Sequence, residues 1–219
     1  IVCQKYRTGL LYDLGHRLEL INSQGLPAAV YEPEQTISTT SQPSPAGPWP
    51  LAGSENLILF AQGEILHVVR PAQMREPLTE VLDSSITALA VREGYRSILV
   101  AAVLEDRCYV LDIHKGLRSL PLRDIPHNSQ VHFLADGRLI ICGEQEGWLV
   151  SIDGLPGRQV ELQVEGKFQF TSGYPLRMLP MEPSTANAEK SYYGADLPTG
   201  PAFAVLTSQG TIEIYDVKL

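Results

Sequence analysis

The chain has few of the residues and runs that mark redox, metal-binding or membrane proteins. Its three cysteines, Cys3, Cys108 and Cys142, lie on separate segments with no C-x-x-C pair. Neither a structural zinc site nor a dithiol redox motif is therefore written in it. Cys108 and Cys142 fall inside apolar strand patterns, where free cysteine acts as a small buried hydrophobe. Asn-x-Ser/Thr sequons are missing too, since Asn22, Asn56, Asn128 and Asn187 all fail at the third position. These two absences predict a reducing, intracellular setting, cytoplasmic or nuclear. No apolar run approaches the ~18–20 residues that span a bilayer, so membrane insertion is not expected. A signal-like start is lacking as well, and a chain opening on Ile1 reads as a piece of something longer.

Positive charge is also short. With 17 Lys+Arg against 25 Asp+Glu the net charge is −8, and no basic cluster stands out. Nucleic acid is not expected as a partner, and Arg118 with Arg123 reads as a solvated rim. Charged residues make up only 19 % and apolar residues 44 %, which is neither a disordered nor a fibrous composition. The length suffices for one β domain with a real core.

Motifs for catalysis are equally scarce. There is no G-x-S-x-G elbow, no G-x-x-x-x-G-K phosphate loop and no H-E-x-x-H. Five histidines (16, 67, 114, 127 and 132) are scattered. His127 with His132 near Asp124 is the one local cluster, and it reads as an ordinary loop. No catalytic residue, cofactor or metal ligand is assigned. Glu64, Glu105 and Glu146 recur at equivalent turns, and that recurrence reads as turn chemistry.

What the chain does contain is a repeat. Five times a short apolar run, a polar turn and a second apolar run follow in order. The second runs close at Asn22, Arg70, Asp112, Asp153 and Asp216, a period of about 42 residues, which is the length of a four-stranded propeller blade. The last interval is longer by about 21 residues, matching a Pro/Ser/Ala/Gly-rich insertion over 182–201. A first insertion, earlier in the chain and with four prolines, covers about 34–53.

The clearest unit runs from Ser85 to about Asp124. Ile86 to Val91 alternates and Ser97 to Val103 is continuously apolar. Arg107 to Ile113 returns, and Leu117 to Leu122 alternates again as an edge strand holding Pro121. The next unit repeats it, with 131–134, 139–143 and 148–153, and 160–164 as the outer strand. A third begins at Leu176 and stops after 211–216. At the front, 10–12 and 17–22 form a hairpin with 28–31 as its outer strand, and 57–60 with 64–69 forms the hairpin of the following unit. The expected fold is all-β: a β-propeller with four to five four-stranded blades visible. Residues 1–219 make a single propeller domain or a portion of one.

The blade ending Gln209-Gly210-Thr211-Ile212-Glu213-Ile214-Tyr215-Asp216 resembles that of WD-repeat β-propellers. Tyr215-Asp216 stands where that family has Trp-Asp, and Leu111-Asp112 and Ile152-Asp153 stand there in earlier units. The family's upstream Gly-His pair is replaced by Pro126-His127 and Ser129-Gln130, so the repeat is divergent and its His–Ser/Thr–Trp hydrogen-bond network is not carried over. Seven blades would need more than this length, about 42 residues each. Three forms stay open: a five-bladed ring, a partial ring completed by a partner chain, and a portion of a larger protein.

In a propeller, the loops between blades and the inner hairpin turns share one face. Those loops are 74–84, 122–129 and 165–174, and they place Arg75, Arg123, His127, Lys167 and Tyr174 as candidate partner-binding residues. Tyr192 and Tyr193 in the second insertion are further candidate anchors. The reading is a non-enzymatic protein–protein interaction scaffold within a multi-protein complex, with other protein subunits as partners. A propeller hydrolase or lyase with channel carboxylates is the alternative.

Overall fold

A computed structural model describes residues 2–6, 9–13, 18–22, 24, 26–31, 50–54, 56–70, 78–94, 97–153, 160–171, 173–181 and 202–217. These residues form five antiparallel sheets, each a meander whose strands neighbour one another in chain order. The first sheet holds β1 (Val2–Tyr6), β2 (Gly9–Asp13), β3 (Leu18–Asn22) and β4 (Pro27–Tyr31). The second holds β5 (Leu51–Gly53), β6 (Ile58–Gln62), β7 (Ile65–Val69) and β8 (Leu78–Val81). In the third, β9 (Ala88–Glu93), β10 (Ile98–Val103) and β11 (Arg107–Asp112) are followed by two short pieces, β12 (Leu117–Arg118) and β13 (Leu122–Arg123), both on the outer edge of β11. The fourth holds β14 (Gln130–Phe133), β15 (Leu139–Cys142), β16 (Glu146–Asp153) and β17 (Glu161–Gln169). The fifth holds β18 (Pro175–Met181), β19 (Ala202–Thr207) and β20 (Ile212–Asp216).

The first strands of successive sheets pack against each other in the order β1, β5, β9, β14, β18. The sheets therefore stand side by side around an axis with their first strands innermost, the arrangement of propeller blades. Among the described residues, β18 and β1 do not pack together as the neighbouring inner strands do, so the five sheets trace an arc.

Burial explains the patterning. In the third and fourth sheets the second strands lie between two neighbouring sheets and are apolar on both faces, as Ile98–Val103 and Leu139–Cys142 show. One apolar cluster fills the space between the second and third sheets through Leu59, Leu66, Val100 and Leu111. Another joins the third and fourth through Val103, Val110, Leu139 and Trp148. A third joins the fourth and fifth through Ile140, Met178, Phe203 and Val205. Cys108 and Cys142 are buried in these layers, as their apolar contexts foretold. Burial pushes the Cys108 thiol up to about 12 and raises that of Cys142 further, so both stay protonated and unreactive.

Three expectations about outer strands change. Leu117 to Leu122 is not one edge strand. The Ser119 hydroxyl accepts a hydrogen bond from Val110 N (2.9 Å), Leu120 N donates to Val160 O just before β17 (3.3 Å), and Pro121 has no N–H to give. The outer strand of the fourth sheet does not end at 164 but continues to Gln169. Within the expected loops 74–84 and 165–174, Leu78–Val81 and Glu165 to Gln169 are strand. Leu51–Gly53, at the end of the expected first insertion, is β5. The rest of that insertion and positions 182–201 lie outside the described residues.

Candidate interaction face

Hydrogen bonds join each described inter-sheet loop to a hairpin turn beside it. Leu82 N and Ile86 N, leaving the second sheet, donate to Glu64 O and Gly63 O of that sheet's β6–β7 turn, both at 2.9 Å. The loop entering the fourth sheet sends the Asn128 amide to Glu144 Oε1 (2.8 Å) in the β15–β16 turn. The loop entering the fifth sheet is held at both ends, with Phe170 N on Gln145 O (3.2 Å) and Ser208 N on Tyr174 O (2.9 Å). Loops and turns thus form one continuous rim. Local geometry tightens it: Asp124 and Asn128 both adopt positive φ (56° and 54°), a conformation these two residue types tolerate better than other side-chain-bearing ones. Gly143 is glycine because an added Cβ would sit 2.3 Å from the Pro126 Cβ.

The sequence-derived candidates fall on this rim unevenly. Arg123 ends β13, exposed, and pairs in register with Arg107. His127 and Tyr174 are exposed on the two loops just described. Lys167 is a strand residue, opposite Trp148 in the β16–β17 register, with its Nζ 3.8 Å from the centre of the indole ring. The Trp148 indole N–H donates in turn to Glu146 Oε1 (3.0 Å). Lys167 is thus held by a cation–π contact beside the rim. Arg75, Tyr192 and Tyr193 lie outside the described residues.

One cluster escaped the sequence reading. Asp83, on the loop between the second and third sheets, accepts hydrogen bonds from the Tyr109 hydroxyl and from Arg118 Nη2 (2.6 Å), with Arg107 at 3.8 Å. The Arg118 guanidinium carbon lies over the Tyr109 ring, 3.9 Å from its centre. The Tyr109 hydrogen bond and then Arg118 hold the Asp83 carboxyl below the usual range. Arg118 is therefore a clasp between two sheets rather than a solvated rim residue. Its partners are 9 and 35 positions away in sequence, too far for any local pattern to signal. Arg138 is similarly engaged, by Asp136 (2.6 Å) and Glu165 (3.0 Å).

Where the inner hairpins end lies a cavity of about 520 Å³, lined by Ser54, Asn56, Arg92, Glu93, Phe133 and Met181 among others. Its carboxylate, Glu93, accepts hydrogen bonds from Ser54 Oγ (2.9 Å) and Asn56 Nδ2 (3.0 Å). Arg92 donates to Ala135 O (3.3 Å). Glu64 and Glu105 sit at hairpin turns and Glu146 opens β16, all three away from this lining. Among the described residues no group of three His, Cys, Asp or Glu side chains is placed to hold a metal ion. No helix of the described residues is long and apolar enough to cross a membrane.

No protein-family model and no curated protein matches this chain. Solved structures do. The BBS1N chain of a crystal structure in complex with ARL6DN matches with a TM-score of 0.68 over 99 % of this chain and 63 % of that one, at 12 % identity. Sqt1 of Saccharomyces cerevisiae matches with a TM-score of 0.64 over 96 % of this chain and 56 % of its own, at 9 % identity. The WD40 domain of SCAP from fission yeast matches with 0.57 over 77 % and 41 %, at 17 % identity. The fold is that of a WD40-like β-propeller, and this chain spans less than two thirds of each of those chains.

Proposed function

We propose that this chain is a non-enzymatic scaffold that presents its loop-and-turn rim to other protein subunits of a complex. The observation that carries the reading is the hydrogen-bonded stitching of every described inter-sheet loop to a hairpin turn. A rim fixed in this way loses little conformational freedom on binding, so its contacts convert more fully into affinity. BBS1N, a structure of the same fold, was solved in complex with the protein ARL6DN, which accords with such a role. Arg123, His127 and Tyr174, with Lys167 beside them, are the contact residues, joined by Arg75, Tyr192 and Tyr193. Residues 1–219 act as one propeller portion in an intracellular setting, cytoplasmic or nuclear; the free, buried Cys108 and Cys142 suit a reducing compartment.

Two alternatives find less support. A channel hydrolase or lyase works with a pair of carboxylates, whereas the described cavity lining offers Glu93 alone, already accepting two hydrogen bonds. Nucleic-acid binding needs free cations, and Arg107, Arg118 and Arg138 are engaged by Asp83, Asp106, Asp136 and Glu165.

The test is affinity purification from cells of the tagged protein and of an Arg123→Ala/His127→Ala/Tyr174→Ala variant, quantified by mass spectrometry. The expected result is loss of a stoichiometric partner by about tenfold or more at unchanged thermal stability. A wild-type protein that retains no partner, or a variant that retains it fully, overturns the reading.

A further inference from the structure

In the second, third and fourth sheets the second and third strands carry cross-strand pairs on the face turned toward the next sheet. In the second sheet the pairs are Leu59 with Val68 and Ala61 with Leu66, and in the third Ala101 with Val110 and Val103 with Cys108. In the fourth, Ile140 pairs with Leu149 and Cys142 with Gly147. All are aliphatic or small, and all are buried except Leu149, which is partly so. In the fifth sheet the equivalent pairs, counted from the β19–β20 turn, are Ala204 with Ile214 and Leu206 with Ile212. Leu179 of β18 extends the first pair across the sheet. These residues have the same character but face solvent: Ile212 is 70 % exposed, Leu179 64 %, Ile214 52 % and Leu206 38 %. The opposite face of the same sheet, with Met178, Phe203 and Val205, is buried against the fourth sheet in the ordinary way.

We propose that this face of the fifth sheet is a sheet-to-sheet interface, and that its occupant is a further β-sheet of the same propeller supplied by the same polypeptide. Two observations choose that occupant. The face continues an interface already built between the second and third, third and fourth, and fourth and fifth sheets, each time between neighbours in sequence. In addition, the solved structures matched over 96 % and 99 % of this chain are longer than it, since it covers only 56 % and 63 % of them. An aliphatic face of this size, left open, is otherwise an association hazard. The inference rests on the propeller fold and not on the rim's partner, so either can fail alone.

The test uses the protein expressed from its complete reading frame, with p-benzoylphenylalanine at position 212 or 214. Irradiation followed by peptide mapping is expected to link the probe to a strand of the same polypeptide outside residues 1–219, with no doubling of mass. A link between two copies, a link to another protein, or no link overturns the proposal. In the same protein, Ile214→Asp is expected to lower Tm by about 5 °C or more, as a core substitution does. Should that variant not fold, Ile214→Ala reports the same burial through a smaller shift. An unchanged Tm in both variants overturns it. Partner retention by the Arg123→Ala/His127→Ala/Tyr174→Ala variant, measured in parallel, keeps failure of the rim reading distinct from failure of this one.

Discussion

The third sheet and the fifth share a strand order and a side-chain alphabet, yet one is covered on both faces and the other on one. Val110 of the third sheet is wholly buried, while Ile214 at the equivalent place in the fifth is about half exposed. The comparison teaches that a blade's sequence is set by the layer it is built to enter. It also means that identical aliphatic truncations should have very different costs according to which face of a blade they touch.

The sharpest break of that comparison is within the fifth sheet itself. Phe203 lies on the covered face, stacked on Tyr215 at 5.0 Å between ring centres and tilted against Phe168 at 5.3 Å. Phe203→Ala should cost about 3–5 kcal/mol in chemical denaturation of the 219-residue chain. Ile212→Ala in that same chain should stay within about 0.5 kcal/mol. Equal losses for the two would erase the distinction between faces.

Next in size is the edge of the interface between the fourth and fifth sheets, where the Phe168 ring lies across the β16 backbone. A Cβ on Gly147 would meet that ring at 2.2 Å. Gly147→Ala should therefore destabilise by about 1–3 kcal/mol, and Phe168→Leu should recover part of the loss. Thermal melts of the two single variants and the double variant measure the coupling.

Covered layers should also show in pH dependence. Burial pushes the His132 imidazole down to about 4 and lowers that of His67 as well. Below an ordinary pKa near 6.5 the unfolded chain binds protons that the folded chain refuses. Stability is then full above about pH 6.5 and falls as pH drops toward 4, by up to about 1.4 kcal/mol per pH unit for each group. Denaturation between pH 7 and 4.5 should give a flatter slope in His132→Gln than in the wild type.

The smallest effect concerns a turn. The Asp112 carboxylate accepts hydrogen bonds from the backbone N–H of His114 (3.1 Å) and Lys115 (3.2 Å) and meets Lys115 Nζ at 3.1 Å. Asp112→Asn keeps most of this geometry, whereas Asp112→Ala should cost about 1 kcal/mol.

That turn also explains how much of the fold was legible. Blade endings announce themselves because a strand leaving the core needs a short acceptor to fold the next turn, and Asp112 does so for the third sheet. Inner strands were legible because two covered faces demand continuous apolar runs. Outer strands were not. β8, Leu-Thr-Glu-Val, is exposed at every position, so burial imposes no pattern on it. β17 was read only as far as Val164. A register shift follows there, with Val164 opposite Val150 and Gly166 opposite Leu149, and the strand runs on past it. That misreading placed Lys167 on a loop. The rim itself was foreseen from connectivity alone, whereas the Asp83–Tyr109–Arg118 clasp joins residues far apart in sequence and left no trace in any local window.

The interrupted outer strand of the third sheet bears on how these molecules behave when crowded. An intact outer strand offers a row of free amides and carbonyls on which a neighbouring molecule can zip. Around Pro121 that row is broken into two-residue pieces, β8 is only four residues long, and β17 is punctuated by Glu161, Glu165 and Lys167. Growth of cross-β aggregates from the second, third or fourth sheet is thereby blocked at its first step. Among the described residues β20, five residues carrying Ile212 and Ile214, is the outermost strand of the fifth sheet and has no such break, so cross-β growth of the isolated chain is expected to start there.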